Sequence, residues 1–326
     1  MTKLDQLIDC IHNTHVYVQM HNYPDQDALA SAMGLQTLLK ARDIESTIIY
    51  HGLIDKDNTL KMIELLNMKV HNIDSLNFQE DSEIIIVDGQ KGNINMSNIP
   101  GEVIACIDHH HIQNVALYRF YDIRADIGAC SSIITSYFLE NQIKITTNVA
   151  TALFYGLKMD TASLSRGVSS FDIDMFCYLI KNANYATLRI LDMSSLKLSD
   201  LTNYQQVLSG LRLYGNIAIA NIGNDCPEAI IASVNDFLLT ISEIEFTVIH
   251  SYRAGGIKFS VRSALPSLDA SEIIRQALNP LGDGGGHNDM AAGFIPNIDN
   301  EMLAEAIARK VEERIILLVQ KATIIN

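Results

Sequence analysis

The run EIIIV at 83–87 constrains the fold more than any other feature of this chain. Four consecutive β-branched residues favour extended backbone. A half-buried strand alternates apolar with polar residues; this one does not, so it reads as a strand covered on both faces, the condition of parallel sheets. Related runs recur as HVYVQMHN at 15–22, STIIYHG at 46–52 and EVIACIDHHH at 102–111. Between and after them lie stretches with helical spacing, at 2–13, 27–41, 57–67, 128–140, 145–159 and about 171–190. Alternating strands and helices mean crossover connections and a mostly parallel sheet flanked by helices.

The 326 residues exceed one typical domain and suit two. The stretch 191–202 is polar and Ser-rich at its centre, and reads as a linker between a first domain at 1–190 and a second at 203–326. In the second, NIAIANI at 216–222 is strand-like and 226–241 helical. The runs 245–252 and 257–263 flank Arg253-Ala254-Gly255-Gly256, a hairpin signal. Asp269 and Ser271 open a capped helix to residue 278, and an amphipathic helix fills 299–320. The expected class is therefore α/β, with a mostly parallel N-terminal sheet and a smaller C-terminal α/β domain built on a mixed sheet.

Composition narrows the setting. Apolar residues at 48% and charged residues at 19% exclude disorder. Five cysteines without a C-x-x-C pair argue against a disulfide framework or a thiolate zinc site. No signal-peptide pattern opens the chain, and its apolar runs fall far short of the ~20 residues that cross a bilayer, so a cytoplasmic protein without a membrane partner is expected. A net charge of −14 and a pI near 5.0 disfavour a long duplex nucleic acid as partner.

Polar residues gather where the first-domain strands end: His21 through Asp27 after the first, Asp88 after EIIIV, and Asp108 through His111 after VIACI. In open α/β sheets those ends line the binding crevice. Asp160, after a helical run, is a fourth candidate. Taken singly, Asp25-x-Asp27 reads equally as a helix cap, Asp88 as a turn residue and the histidines as surface. Taken together they occupy matching topological places. Converging carboxylates repel one another unless protonated or bound to cations. An imidazole–carboxylate set suits Mn²⁺, Fe, Co or Zn better than Ca²⁺. Two such ions ~3.5–4 Å apart, bridged by one carboxylate, make a centre for in-line phosphoryl chemistry with a water activated near neutral pH.

HNYPDQDALAS at 21–31, IIIVDG at 84–89, IDHHH at 107–111 and YGLKMDTAS at 155–163 resemble, in this order, the four motifs of the DHH phosphoesterase superfamily. VRS at 261–263 and GDGGGHNDMAAG at 282–293 resemble its DHH-associated C-terminal domain. Size and domain pair are most similar to bifunctional oligoribonuclease/pAp phosphatases, which act on very short RNAs and on 3′-phosphoadenosine 5′-phosphate. The resemblance implies two divalent ions, Mn²⁺ foremost. His21, Asp25 and Asp88 would hold one, and Asp27, Asp88, His109 and Asp160 the other. His110 would face the scissile phosphate and Asp108 would orient its histidine neighbours. Arg262 and Ser263 would grip a substrate phosphate, the N–H groups of Gly284, Gly285 and Gly286 would form an anion nest, and His287 would contact substrate beside them. Arg166 is a further substrate-binding candidate; His111 receives no role.

The implied reaction is attack by a metal-bound hydroxide on a short oligoribonucleotide or on pAp, with the second domain closing over the substrate. The implied partners are short RNA or phosphorylated nucleotides, and a homodimer is left open. Polyphosphatase, pyrophosphatase and cyclic-dinucleotide phosphodiesterase are the alternatives within the superfamily; a nucleotide sensor without catalysis is the alternative of another class. Two departures bear on substrate choice: the motif Asp88-Gly89-Gln90 stands where many relatives carry a hydroxyl residue after the Asp, and Asp289 where a neutral or basic residue is common.

Overall fold

The computed structural model describes residues 1–326 except 55, 94, 113, 194–195, 254 and 325–326, and nothing is said of the side chains of 323–324. The chain divides into two compact units, Met1–Leu196 and Lys197–Asn326.

The first unit runs α1 (Lys3–Asp9), β1 (His15–Gln19), α2 (Gln26–Lys40), β2 (Glu45–Tyr50), α3 (Asp57–Leu65), β3 (Val70–Asn72), β4 (Glu83–Val87), β5 (Glu102–Asp108), β6 (Phe120–Ile123), α4 (Cys130–Glu140), α5 (Thr147–Asp160), α6 (Ser170–Ile180) and α7 (Tyr185–Asp192). Its six strands are all parallel, in the order β3-β2-β1-β4-β5-β6. The order reverses between β1 and β4, so their C-terminal ends frame the crevice where such sheets bind ligands.

The β4 run is buried at every position, as its composition demands. Ile85 and Val87 face the main core with Leu35 and Leu38 of α2, Ile134 of α4 and Leu153 of α5. Ile84 and Ile86 face the other way, with Met96 and Val103. That second cover comes from Met96 and Ile99 of the segment between β4 and β5, with Val103 beside Ile84 in the sheet. The short edge strands β3 and β6 are additions to the sequence reading. The expected helix at 171–190 is two helices, broken near residues 181–184.

The second unit runs α8 (Leu201–Ser209), β7 (Arg212–Tyr214), β8 (Ile217–Asn224), α9 (Glu228–Leu238), β9 (Phe246–Arg253), β10 (Gly256–Ser263), α10 (Ala270–Leu278), β11 (Asp283–Gly286), β12 (Met290–Pro296) and α11 (Glu301–Ile324). Its sheet order is β11-β12-β10-β9-β8-β7, with β8 and β9 parallel and the other pairs antiparallel, so it is mixed as expected. Helices α10 and α11 cover one face, and α8 and α9 the other. The hairpin at 245–263 is present, although Ala254 of its turn lies outside the described residues. The polar stretch 191–202 is largely ordered: α7 ends inside it and α8 begins at Leu201, while Ser194 and Ser195 lie outside the described residues. Among the described residues, no helix is long and apolar enough to cross a membrane.

Candidate metal centre

Two residues past β1, the chain bends and His21 turns back on itself. Its Nδ1 donates to the Asn22 carbonyl at 2.8 Å. That bond occupies Nδ1 and leaves Nε2 facing Asp25 Oδ1 at 3.9 Å and Asp88 Oδ2 at 3.7 Å, where it becomes a ligand atom once its proton is lost. Asp25 caps α2, accepting from the N–H groups of Asp27 at 3.0 Å and Ala28 at 3.1 Å. Capping and membership of a ligand-like group therefore coincide in one carboxylate. Asp27, in the first turn of α2, is buried and accepts from the first two N–H groups of α4, Cys130 at 2.7 Å and Ser131 at 3.0 Å. The N-terminal dipole end of α4 thus favours its ionised form, against the burial and the neighbouring carboxylates described below. An ionised carboxylate has about four lone-pair sites, so each Asp27 oxygen keeps one for a cation.

Asp88 follows β4 in the left-handed region, φ 56°. Its carboxylate lies between two histidines: Oδ2 faces His21, and Oδ1 lies 3.4 Å from His109 Nε2. His109 is oriented by its Nδ1, which donates to the Ile127 carbonyl at 3.2 Å, and its Nε2 is also 3.3 Å from Asp160 Oδ2. Asp160 ends α5. Three groups of donors converge, each with all ligand atoms within 4.8 Å of one another: His21, Asp25 and Asp88; Asp27, His109 and Asp160; and Asp88, His109 and His110.

The electrostatics of this cluster are those of opposed charges crowded together under burial. Burial alone would lower His21, but Asp25 and Asp88 overcome it and raise the imidazole to about 10. Burial opposes His109 likewise, and Asp88, Asp160 and Asp27 raise it well above its ordinary value. Burial, with Asp88 and Asp160 beside it, pushes Asp27 up; burial with Asp25 and Asp88 pushes Asp160 up to about 6. Asp88 Oδ1 is buried and has no hydrogen-bond partner. A buried carboxylate oxygen left without a donor costs more than the usual ~1–3 kcal/mol of an unsatisfied group, unless a cation reaches it. The hard oxygens and the two Nε2 lone pairs fit divalent Mn²⁺-type ions.

A second layer of contacts sets the remaining histidine. Asp108 ends β5 and is fully buried. Its Oδ1 accepts from His110 Nδ1 at 2.8 Å and from the His109 N–H at 2.9 Å, and its Oδ2 from Gln90 Nε2 at 2.7 Å. Burial opposes ionisation of Asp108, but His110 and Gln90 prevail and hold its carboxyl below the ordinary range. His110 therefore carries its Nδ1 proton toward Asp108, while 43% of its side chain stays exposed. Gln90 also donates to the His111 carbonyl at 3.0 Å. Sequence reasoning marked Gln90 only as a departure; its contact partner lies 18 residues away, on another strand.

Arg166 folds back on the metal cluster's edge, its Nη2 donating to the Asp160 carbonyl at 3.0 Å. Within the second unit, Arg262 on β10 pairs with Asp236 of α9 at 3.0 Å and donates to the Val261 carbonyl at 3.2 Å. The Ser263 N–H donates to the Asp289 carbonyl at 2.8 Å, which joins β10 to the 287–289 turn. Asp236, a side-chain partner for Arg262, was not legible in the sequence. The glycines correct an expectation. Gly284, Gly285 and Gly286 do not fold into a nest; they form the extended edge strand β11, paired with Gly293, Ala292 and Ala291. The close pairing explains the glycines: a Cβ on Gly284 would meet the Ala292 carbonyl at 3.0 Å, and one on Gly286 the Met290 carbonyl at 2.5 Å. The Gly284 N–H is taken by Asp283 Oδ1 at 2.8 Å. His287 is exposed beyond the strand, its N–H donating to the Met290 carbonyl at 2.7 Å.

A parallel sheet whose switch-point loops gather histidine and aspartate into adjoining donor groups, followed by a mixed-sheet unit, defines an α/β protein of two units with a candidate metal centre. Two family models match it: the DHH family N-terminal domain over residues 15–157 and the DHHA1 domain over residues 215–316. The chain belongs to the DHH superfamily. An uncharacterised protein of Methanocaldococcus jannaschii, MJ1633, is 30% identical over 298 residues, 90% of this chain and 61% of that protein. The cyclic-di-AMP phosphodiesterase GdpP of Bacillus subtilis is 24% identical over 328 residues, 92% of this chain and 48% of GdpP. The chain thus spans between about half and three fifths of these relatives' lengths. A crystal structure of an exopolyphosphatase-related protein from Bacteroides fragilis shares the fold at a TM-score of 0.76 and 16% identity, covering 98% of this chain and 97% of that one.

Proposed function

We propose that this protein is a metal-dependent phosphoesterase that hydrolyses short oligoribonucleotides to mononucleotides, pAp to AMP, or both. The observation that carries the reading is Asp88, whose two oxygens face the histidines of two donor groups while one oxygen is buried without a partner. His21, Asp25 and Asp88 would hold one divalent ion and Asp27, Asp88, His109 and Asp160 a second, and such ions would supply Lewis acidity and charge neutralisation for a reacting phosphoryl group. Mn²⁺ is the ion this donor set favours.

The chain's own residues supply the rest. Asp108, held by Gln90, keeps the Nδ1 proton of His110 and so directs Nε2 outward. Burial and His109 oppose protonation of His110, but Asp108 and Asp88 raise it, which favours an Nε2–H that would stabilise the charge developing on the phosphate. In the second unit, Arg262, Ser263 and His287 bind a substrate phosphate. The Arg262 guanidinium must share itself between that phosphate and Asp236. The net charge of −14 acts against long polyanions and spares substrates with few phosphates.

A second reading, phosphodiesterase action on a cyclic or linear dinucleotide, is favoured by the likeness to GdpP, which runs over 92% of this chain. Both readings are tested by a Mn²⁺ assay that compares di- to pentaribonucleotides, a long RNA, pAp, cyclic-di-AMP and pyrophosphate. The proposal expects kcat/KM to be highest on pAp or on di- and triribonucleotides and to fall with length. Equal rates on long RNA, or hydrolysis of pyrophosphate alone, contradict it.

A further inference from the structure

Tyr23 belongs to none of the donor groups, yet it stands between His21 and Asp25, which close on each other at 3.9 Å. Its backbone lies at φ 57°, in the left-handed region that a bulky aromatic rarely adopts. Such a conformation is strained and persists only where its surroundings enforce it. Here they do. The Tyr23 N–H donates to the His51 carbonyl at 2.9 Å, and the Asn22 N–H to the Asn95 carbonyl at 2.6 Å. Asn22 Oδ1 accepts from Ser97 Oγ at 2.9 Å, and that hydroxyl is 3.0 Å from His51 Nδ1. The bend after β1 is thereby tied to the loops after β2 and β4.

The ring itself rests against Gly52, where a Cβ would come within 2.7 Å of its Cδ1 and Cε1. The rest of the side chain is open to water, 65% exposed. Core packing does not explain a strained, tethered tyrosine that stays exposed. Its Cα can be no more than about 7 Å from those of His21 and Asp25, two residues away on either side. It therefore flanks the first donor group at the mouth of the switch point. A flat, exposed ring packed on Gly52 and carried by a tethered backbone offers what a nucleobase needs, since every base has a π face that stacks on an aromatic.

Resting on the phosphoesterase reading above, we propose that Tyr23 is the stacking platform for a nucleobase adjoining the scissile phosphate, and so selects nucleotides over base-free phosphates. The test uses the Mn²⁺-loaded full chain and titration calorimetry with AMP and with inorganic phosphate, on wild type, Tyr23→Phe and Tyr23→Ala, alongside KM for a diribonucleotide. Tyr23→Ala should weaken AMP roughly 5- to 150-fold relative to phosphate and raise the diribonucleotide KM, while Tyr23→Phe stays within about threefold of wild type. Equal weakening of AMP and phosphate, unchanged AMP affinity in Tyr23→Ala, or no AMP binding by wild type overturns the platform. The two proposals separate cleanly. AMP bound through Tyr23 without nucleotide hydrolysis supports the platform and refutes the reaction; diribonucleotide hydrolysis with AMP affinity unchanged in Tyr23→Ala does the reverse.

Discussion

Binding of Mn²⁺ should expel protons, and the structure sets how many. Without metal, Asp25 and Asp88 raise His21 to about 10 against the pull of burial. At pH 7 that imidazole stands three units below its midpoint and is almost wholly protonated, so it must lose a proton before Nε2 can accept a cation. The displacement lowers the apparent affinity at pH 7 by about 10³-fold, or roughly 4 kcal/mol, relative to pH 10. His109, raised by Asp88, Asp160 and Asp27, adds to the release. Asp160, at about 6, is largely ionised already and adds little. Asp27, pushed up by burial beside Asp88 and Asp160, contributes to the release as His109 does, so calorimetry in buffers of different ionisation enthalpy should count about one to three protons per chain at pH 7, and the apparent Kd should fall at least about tenfold per pH unit toward pH 9. Asp88→Asn, which removes a charge facing both histidines, should reduce the release. A release near zero at pH 7, with a Kd flat between pH 7 and 9, would refute the assignment of the two Nε2 atoms as ligands.

Other consequences follow from individual contacts. Gln90→Ala leaves Asp108 Oδ2 without its donor and should cut kcat about 10- to 100-fold with metal content retained; metal analysis beside steady-state kinetics checks both halves. Gly156→Ala forces a methyl to within 2.6 Å of Ser131 Oγ, 2.9 Å of Ala30 Cβ and 3.1 Å of Asp27 Cα, so α5 must move away from the helix that carries Asp27. Denaturant unfolding should show a loss of about 1–3 kcal/mol, with activity falling further than stability alone explains. In the chelated protein, the raised His21 contributes stability that is fully present below its ordinary value of 6.5 and is lost as pH rises through about 10. The Tm without metal should fall between pH 7 and 10, and His21→Asn should flatten that decline.

What could be read from the sequence, and what could not, divides along physical lines. Buried strands announce themselves by composition, so β1, β2, β4 and β5 were legible, and with them the strand ends where His21, Asp25, Asp88 and His109 meet. Val70–Asn72 and Phe120–Ile123 are short edge strands, half-exposed and mixed in composition, and nothing local marks them. Asp283–Gly286 is a strand only because β12 pairs with it; its glycines by themselves favour a turn. The contacts that orient the site were hidden for a different reason. Asp27 is held by backbone N–H groups of α4, which carry no residue signature. Gln90 reaches Asp108 and Arg262 reaches Asp236 only through tertiary packing.

The account rests on Asp88 joining two metal sites, and metal stoichiometry tests that directly. After saturation with Mn²⁺ and removal of unbound ion, elemental analysis of the wild-type chain should give two ions, and Asp88→Asn should give fewer than one. A single ion in wild type with full phosphoesterase activity, or two ions retained by an active Asp88→Asn, would contradict it.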